Sequence, residues 1–301
     1  MLLRVAILLC GVYAGSTSVL WVKNSQIPPV LLSGYRLLAA SILLSGLFFR
    51  DWARHRDAFG WKDVRKTVVP AVLLGLHFIT WIFGARRTSA ANATLLVNMV
   101  PIVTPVLLLT VAFEKVRRIE LLGTAVAMAG VCVLGVSDLQ MGRGQFVGDV
   151  VCFASMLLFA AYMTFGRRNR HFASVWLYVV PLYFVGGLLC LAVGLCLQVG
   201  RPSVVYDLNE ATMILGLALV PTIVGHSALN YSMRHFRGQV VGVANVFEFV
   251  FAAVMAFLIY DEKPALSFYL AAAMVTAAAA IMLHHHHHAR RRPQQLPESD
   301  P

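Results

Sequence analysis

The sequence predicts an all-α integral membrane protein: ten transmembrane helices arranged as a 5+5 inverted repeat. Three observations predict it. The 301 residues are 59% hydrophobic and 13% charged, with a mean hydropathy of +0.73, which is too few charges to coat a globule of that size in water. Apolar stretches long enough to cross about 30 Å of hydrocarbon, which takes about 20 helical residues, recur ten times. Polar residues inside them also repeat at a fixed offset. His77 and Trp81 return 149 positions later as His226 and Asn230, and Glu114-Lys115 returns 148 positions later as Glu262-Lys263. The alternating pattern of a membrane barrel is absent, which leaves a helical bundle.

The spans fall near 3–22, 29–49, 67–85, 93–113 and 119–137, then 148–166, 175–198, 211–233, 240–260 and 265–283, each bounded by polar or turn-rich breaks. The first follows Arg4 and ends in Ala14-Gly15-Ser16, which resembles a signal peptide; its removal would leave nine helices and break the repeat, so it is retained as helix 1. Helix 2 holds Arg36, the one basic residue inside a span. Helices 3 and 8 carry the histidines, helix 4 carries Pro101 and Pro105, and helix 9 carries Glu248. Helix 10 is alanine-rich, with Ala273 and Ala277 marking a close-packing surface. Residues 1–137 form the first repeat and 148–283 the second. Residues 284–301, five histidines followed by arginines and a Pro- and Gln-containing end, read as a disordered tail. The loops are short, so consecutive helices are antiparallel neighbours and no soluble domain lies between them.

Five helices per half is an odd number, so the second copy enters the membrane from the opposite side. In such inverted repeats a solute site lies near the midplane, between the halves. The net charge of +11 fits orientation better than nucleic acid. Of 25 Lys and Arg, eighteen fall on one side and six on the other (Lys23, Arg86, Arg87, Arg143, Arg201, Lys263), with Arg36 within a helix. Positive residues stay in the cytoplasm, which predicts both termini inside, with some of this charge touching anionic lipid. The five cysteines lie within spans without CxxC spacing and read as small packing residues. The five-histidine run, native or a tag remnant, has no preformed geometry, so no metal is expected. No nucleotide loop is present, and no cofactor is implied.

Several segments then carry a resemblance. They are Tyr35-Arg36-Leu37-Leu38-Ala39, Thr88-Ser89-Ala90-Ala91-Asn92-Ala93 leading to Pro101 and Phe113-Glu114, Gly148-Asp149, Arg167-Arg168, and Phe247-Glu248-Phe249-Val250-Phe251-Ala252-Ala253 leading to Asp261-Glu262. Together they resemble the EamA-type members of the drug/metabolite transporter superfamily over essentially the whole membrane region. A subgroup with Leu-His-Phe in helix 3 and Gly-His-Ser followed by Asn-Tyr in helix 8 is closer still. Where the family has Glu-Pro this chain has Glu248-Phe249, so a proline kink in helix 9 is not implied. The resemblance implies a ten-helix bundle moving a small metabolite, such as an amino acid, commonly outward.

The candidate site residues follow from depth and face. His77 and Trp81 project from one face of helix 3, as Thr222, His226 and Asn230 do from helix 8. Each histidine either contacts a substrate or proton or ties helices together. Glu248 lies about 12 Å into the core at 1.5 Å per residue, where a carboxylate needs a proton, a cation or donors. It is therefore a proton carrier, an anchor for a substrate amine, or a structural partner of Arg36, roughly 8 Å away along the membrane normal. Asn98 shares a face with Pro101 and Pro105, each proline freeing a carbonyl one turn earlier for a polar cavity. Asn245 precedes Glu248 by three residues, and Tyr13, Ser16 and Thr17 offer a polar face on helix 1. Glu114 and Glu262 end their helices and read as loop or topology residues. The expected function is a carrier of a small polar metabolite across the plasma (inner) membrane, whose partners are its solute and lipid, with a homodimer left open. Two other readings compete. An intramembrane enzyme would use His77, His226 and Glu248 as acid and base, although no nucleophile or metal stands at convincing spacing. A passive channel is disfavoured by the inverted repeat.

Overall fold

A computed structural model describes residues 1–138, 145–200, 203–260 and 266–291, with side chains described except at 90, 91, 134–138, 253, 256–260 and 286–291. The positions read above as Arg143, Arg201, Asp261, Glu262, Lys263 and 292–301 lie outside the described residues. Among the described residues eight segments are long and apolar enough to cross a membrane, and Gly238–Ala252 is a shorter apolar helix.

The chain begins with α1 (Leu2–Ser16) and α2 (Ser18–Asn24), which part at Thr17, whose hydroxyl donates to the Ala14 carbonyl instead of continuing the ladder. Next come α3 (Pro29–Arg54) and α4 (Trp61–Ala85), α3 opening with proline at its first position, where no N–H is missed. They are followed by α5 (Ala90–Val97), α6 (Val100–Thr110) and α7 (Arg118–Asp138). The second half holds α8 (Phe146–Arg168), α9 (Val175–Gln198), α10 (Leu208–Leu217), a π-helical segment (Ala218–His226), α11 (Ser227–His235), α12 (Gly238–Asn245), α13 (Glu248–Tyr260) and α14 (Leu266–Arg291). Side-chain caps start several of these: Ser89 accepts from Asn92 N at 3.0 Å, Ser174 from Trp176 N at 3.1 Å, and Asp207 from Glu210 N at 2.8 Å.

Two helices break at equivalent places. α5 gives way to α6 at Asn98-Met99, and α12 to α13 at Val246-Phe247, 148 positions later. Helix 9 is therefore interrupted even though Phe249 stands where the family has proline. Asn98 caps α5 and Asn245 ends α12; asparagine favours helix ends because its amide competes with the backbone for hydrogen bonds. The break puts Glu248 at the first position of a half-helix, half-buried.

Two expectations need correcting. α14 runs past His284 to Arg291, because nothing that stops a helix occurs before Pro293. Ala273 and Ala277 are exposed, and the packing face of α14 is instead Ala271, Val275, Ala278 and Met282. This face meets α7, where a Cβ on Gly130 would stand 3.1 Å from the Ala271 carbonyl. Alanine content alone does not say which stripe is turned inward.

α3 and α9 form the most extensive seam. A Cβ on Gly34 or Gly187 would stand 2.9 Å from the backbone nitrogen of Leu191 or Leu38, respectively, so the two backbones touch through small residues as membrane helices do. α4 packs on α8 and α9, and α1 on the π segment. Of the cysteines, Cys152 and Cys190 are buried against Gly84 and Gly75, whereas Cys10, Cys132 and Cys196 are exposed.

Candidate functional site

α1, α4, α8, the π segment and α13 surround a cavity of about 40 Å³ whose wall includes Gly15, Ser18, His77, Phe78, Trp81, Phe159, Pro221, Gly225, His226 and Glu248. At about 10–15 Å³ per water, it has room for about three waters. Both repeats contribute, α4 from the first and the π segment from the second, with the carboxyl of Glu248 completing the wall.

His77 is 5% exposed. Its Nδ1 lies 3.1 Å from the Ser155 carbonyl and 2.8 Å from Ser155 Oγ, and Ser155 Oγ donates to the His77 carbonyl at 2.9 Å. A carbonyl only accepts, so Nδ1 carries a hydrogen and Nε2 is the nitrogen left for a ligand. The same geometry spends the Ser155 proton on a carbonyl, so the pair is not arranged as a nucleophile and its base. Phe159 stacks on the imidazole at 4.8 Å. His226 sits in an aromatic cage: Phe78 meets it edge-on at 4.9 Å, with Phe159 at 5.6 Å, Tyr162 at 5.7 Å and His77 at 6.1 Å. Its Nδ1 is buried without a hydrogen-bond partner.

The π segment explains how His226 and Thr222 reach this position. Thr222 Oγ1 donates to the Leu217 carbonyl five residues back, at 2.7 Å, and the Thr222 carbonyl accepts from Tyr183 at 3.3 Å. Pro221, inside the segment, has no N–H to give to the ladder. Widened turns of this kind are frequent at functional sites.

Glu248 is placed by the absence of a side chain opposite it. A Cβ on Gly15 would stand 2.7 Å from Glu248 Oε1. The described ion pairs do not join it to Arg36. Arg36 instead is fully buried with its guanidinium 3.7 Å over the Phe78 ring, and its Nε donates to Thr222 Oγ1 at 2.9 Å. Nη1 and Nη2 find no acceptor among the described residues, which leaves idle four of the five N–H donors of the guanidinium. An unmet buried donor costs about 1–3 kcal/mol, more when charged.

The other candidates fall outside the cavity wall. Asn230 braces helices: its amide nitrogen donates to Tyr162 Oη and, at 2.8 Å, to the His226 carbonyl. Asn98 and Asn245 are buried at the helix breaks, Asn245 with its amide beside the Glu248 carboxyl. Tyr13 is 46% exposed and meets Phe251 edge-on at 5.4 Å. The carbonyl that Pro105 frees, that of Pro101, faces no cavity: Gln239 of the second half donates to it at 3.0 Å. Sequence reasoning missed Phe78, Ser155, Phe159, Tyr162 and Tyr183. Positions 155, 159 and 162 share one face of α8 at helical spacing, which was the available signal.

Polar ties close both ends of the bundle. At the arginine-rich end, buried Glu114 accepts from Arg167 at 2.5 Å, from Arg170 at 3.4 Å and from Gly238 N at 3.1 Å. Arg167 also donates to the Met233 and Phe236 carbonyls at 2.7 Å, and Arg237 pairs with Glu120. Glu114 lies in the connection between α6 and α7, as expected, but is a buried ion-pair hub rather than an exposed residue, because Arg167 of α8 and Arg170 just after it, distant in sequence, supply its partners. At the opposite end Glu210 accepts from Ser25 Oγ and Gln26 N at 2.6 Å, Arg86 donates to the Val22 and Ile27 carbonyls, and Thr88 donates to Asp149 at 2.5 Å.

Comparison with known proteins agrees with this architecture. A solved crystal structure of a protein 16% identical in sequence superposes with a TM-score of 0.75, covering 95% of this chain and 98% of its own. Among curated proteins no sequence matches this chain. The model of the EamA-like transporter family matches residues 3–136 and again 146–284, one match for each half of the bundle. A multi-pass helical chain whose two halves each fit that model belongs to the EamA-like transporter family.

Proposed function

We propose that the protein exports a small polar metabolite or amino acid across the cell (inner) membrane by alternating access, coupled to protons. Its ten spans form two inverted five-helix halves with both termini in the cytoplasm, so the arginine-rich end faces inward. One observation carries the reading: Glu248, at the start of a half-helix, shares a cavity with His77 of one half and His226 of the other. A carboxyl group lining such a cavity beside the Asn245 amide, with no cationic side chain paired to it among the described residues, exchanges a proton or receives a substrate ammonium. The cavity holds only about three waters, too little room for an amino acid, so a solute binds only once the surrounding helices move apart, as they do in alternating access.

Purified protein in liposomes, given radiolabelled amino acids with and without a pH gradient beside a Glu248→Gln variant, tests this. The expected result is saturable uptake that the gradient drives in wild type and not in the variant. Gradient-driven uptake that survives the substitution removes Glu248 from the coupling path. Uptake that never saturates replaces the carrier by a channel.

A further inference from the structure

We propose that Arg36 is the binding site for a carboxylate on the transported solute. The proposal rests on the transport reading above and adds the charge that the solute carries.

Three observations meet at this side chain. Arg36 is 0% exposed and within the helical core, and none of the described ion pairs includes it. Both terminal nitrogens lack acceptors, while Nε is fixed by Thr222 and the guanidinium plane lies on Phe78. The side chain is thus aligned at one edge and unfulfilled at the other, the geometry in which a guanidinium takes a carboxylate through two parallel hydrogen bonds. A third idle atom, His226 Nδ1, lies in the ring cluster on the same Phe78. Removing an ion from water is tolerated in a membrane core only when another charge or a full set of hydrogen bonds replaces the water. One hydroxyl and one ring face do not make that set.

Phe78 connects this place to the cavity, since its ring is part of the wall and also carries the guanidinium. Arg36 therefore lies directly behind one residue of the cavity wall. The π segment fixes the other boundary, because Thr222 holds Nε from within it.

The test uses full-length purified protein in a chloride-free sulfate buffer and follows thermal unfolding against L-amino acids, their carboxamides (leucine beside leucinamide, for example) and chloride alone. The expected result is that at least one acid raises the unfolding temperature saturably while its amide does not. In Arg36→Gln the half-saturating concentration rises about tenfold or more, and Arg36→Lys retains part of the affinity. Equal stabilisation by acid and amide, or none by any acid, overturns the proposal on wild type alone, whether or not the variants fold. Stabilisation by chloride alone that competes with the acid also overturns it and makes Arg36 a halide site. Counterflow in liposomes separates the two readings. Wild-type protein that carries amides as well as acids keeps the transport reading and loses the carboxylate site. Acid binding lost in Arg36→Gln with no solute crossing in wild type keeps the site and loses transport.

Discussion

Glu248 keeps its position because residue 15 has no side chain. A methyl group there would meet Oε1 at 2.7 Å, and the atom it meets is the end of a flexible side chain rather than backbone. The fold can therefore give way at little cost while the carboxyl group moves. Gly15→Ala is expected to leave the unfolding temperature near wild type and to slow solute exchange in liposomes by up to about a hundredfold, the scale at which a misplaced site group acts. Exchange at the wild-type rate would show that the position of the carboxyl is not critical. His77, Trp81 and His226 were legible in sequence because depth in the membrane and the 149-residue offset both pick them out, whereas Glu248, which has Met99 at that offset, was legible from depth alone. Tyr13 was not, since helical spacing names a face without saying whether it looks inward. Neither was the isolation of Arg36, because pairing between distant helices depends on packing that no local pattern encodes.

The helices themselves were readable from apolar length. Their interruptions were only partly so, and helix 9 shows why. Proline is the familiar breaker, and its absence at Phe249 argued for a continuous helix; yet α12 stops at Asn245, as α5 stops before Asn98. The asparagines mark both breaks, and the second break is what turns Glu248 into the first residue of a half-helix. Asn245→Leu, a better helix former by roughly 0.5 kcal/mol, is expected to let α12 run into α13 and rotate Glu248 away from Gly15. The outcome would be an unfolding temperature at or above wild type with exchange largely lost. A variant that exchanges normally would assign the break to the backbone alone. The π segment had no such signal beyond Pro221, because a five-residue ladder is set by the contacts of Thr222 with Leu217, Tyr183 and Arg36, two of them from other helices.

Polar ties hold both ends of the bundle around its cavity, and each set centres on a carboxylate from one half or the other. Glu114 gathers Arg167, Arg170 and the start of α12 at the arginine-rich end, and Glu210 gathers the α2–α3 connection at the opposite end. A carrier working by alternating access releases one set at a time, so the two sets should bias it in opposite directions. Glu114→Gln leaves Arg167 without its counter-charge in a buried place, a loss of about 3 kcal/mol for a buried pair broken at one partner, while Glu210→Gln weakens only the opposite end. Introduced into a cysteine-free background with a reporter Ser18→Cys in the cavity wall, the two variants should label differently with a membrane-impermeant maleimide. In sealed vesicles of each orientation, Glu114→Gln should raise labelling from the arginine-rich side and Glu210→Gln from the other. Labelling that rises from the same side in both variants would mean that one end alone opens, and the closed form would then be the resting state of a channel rather than the midpoint of a carrier's cycle.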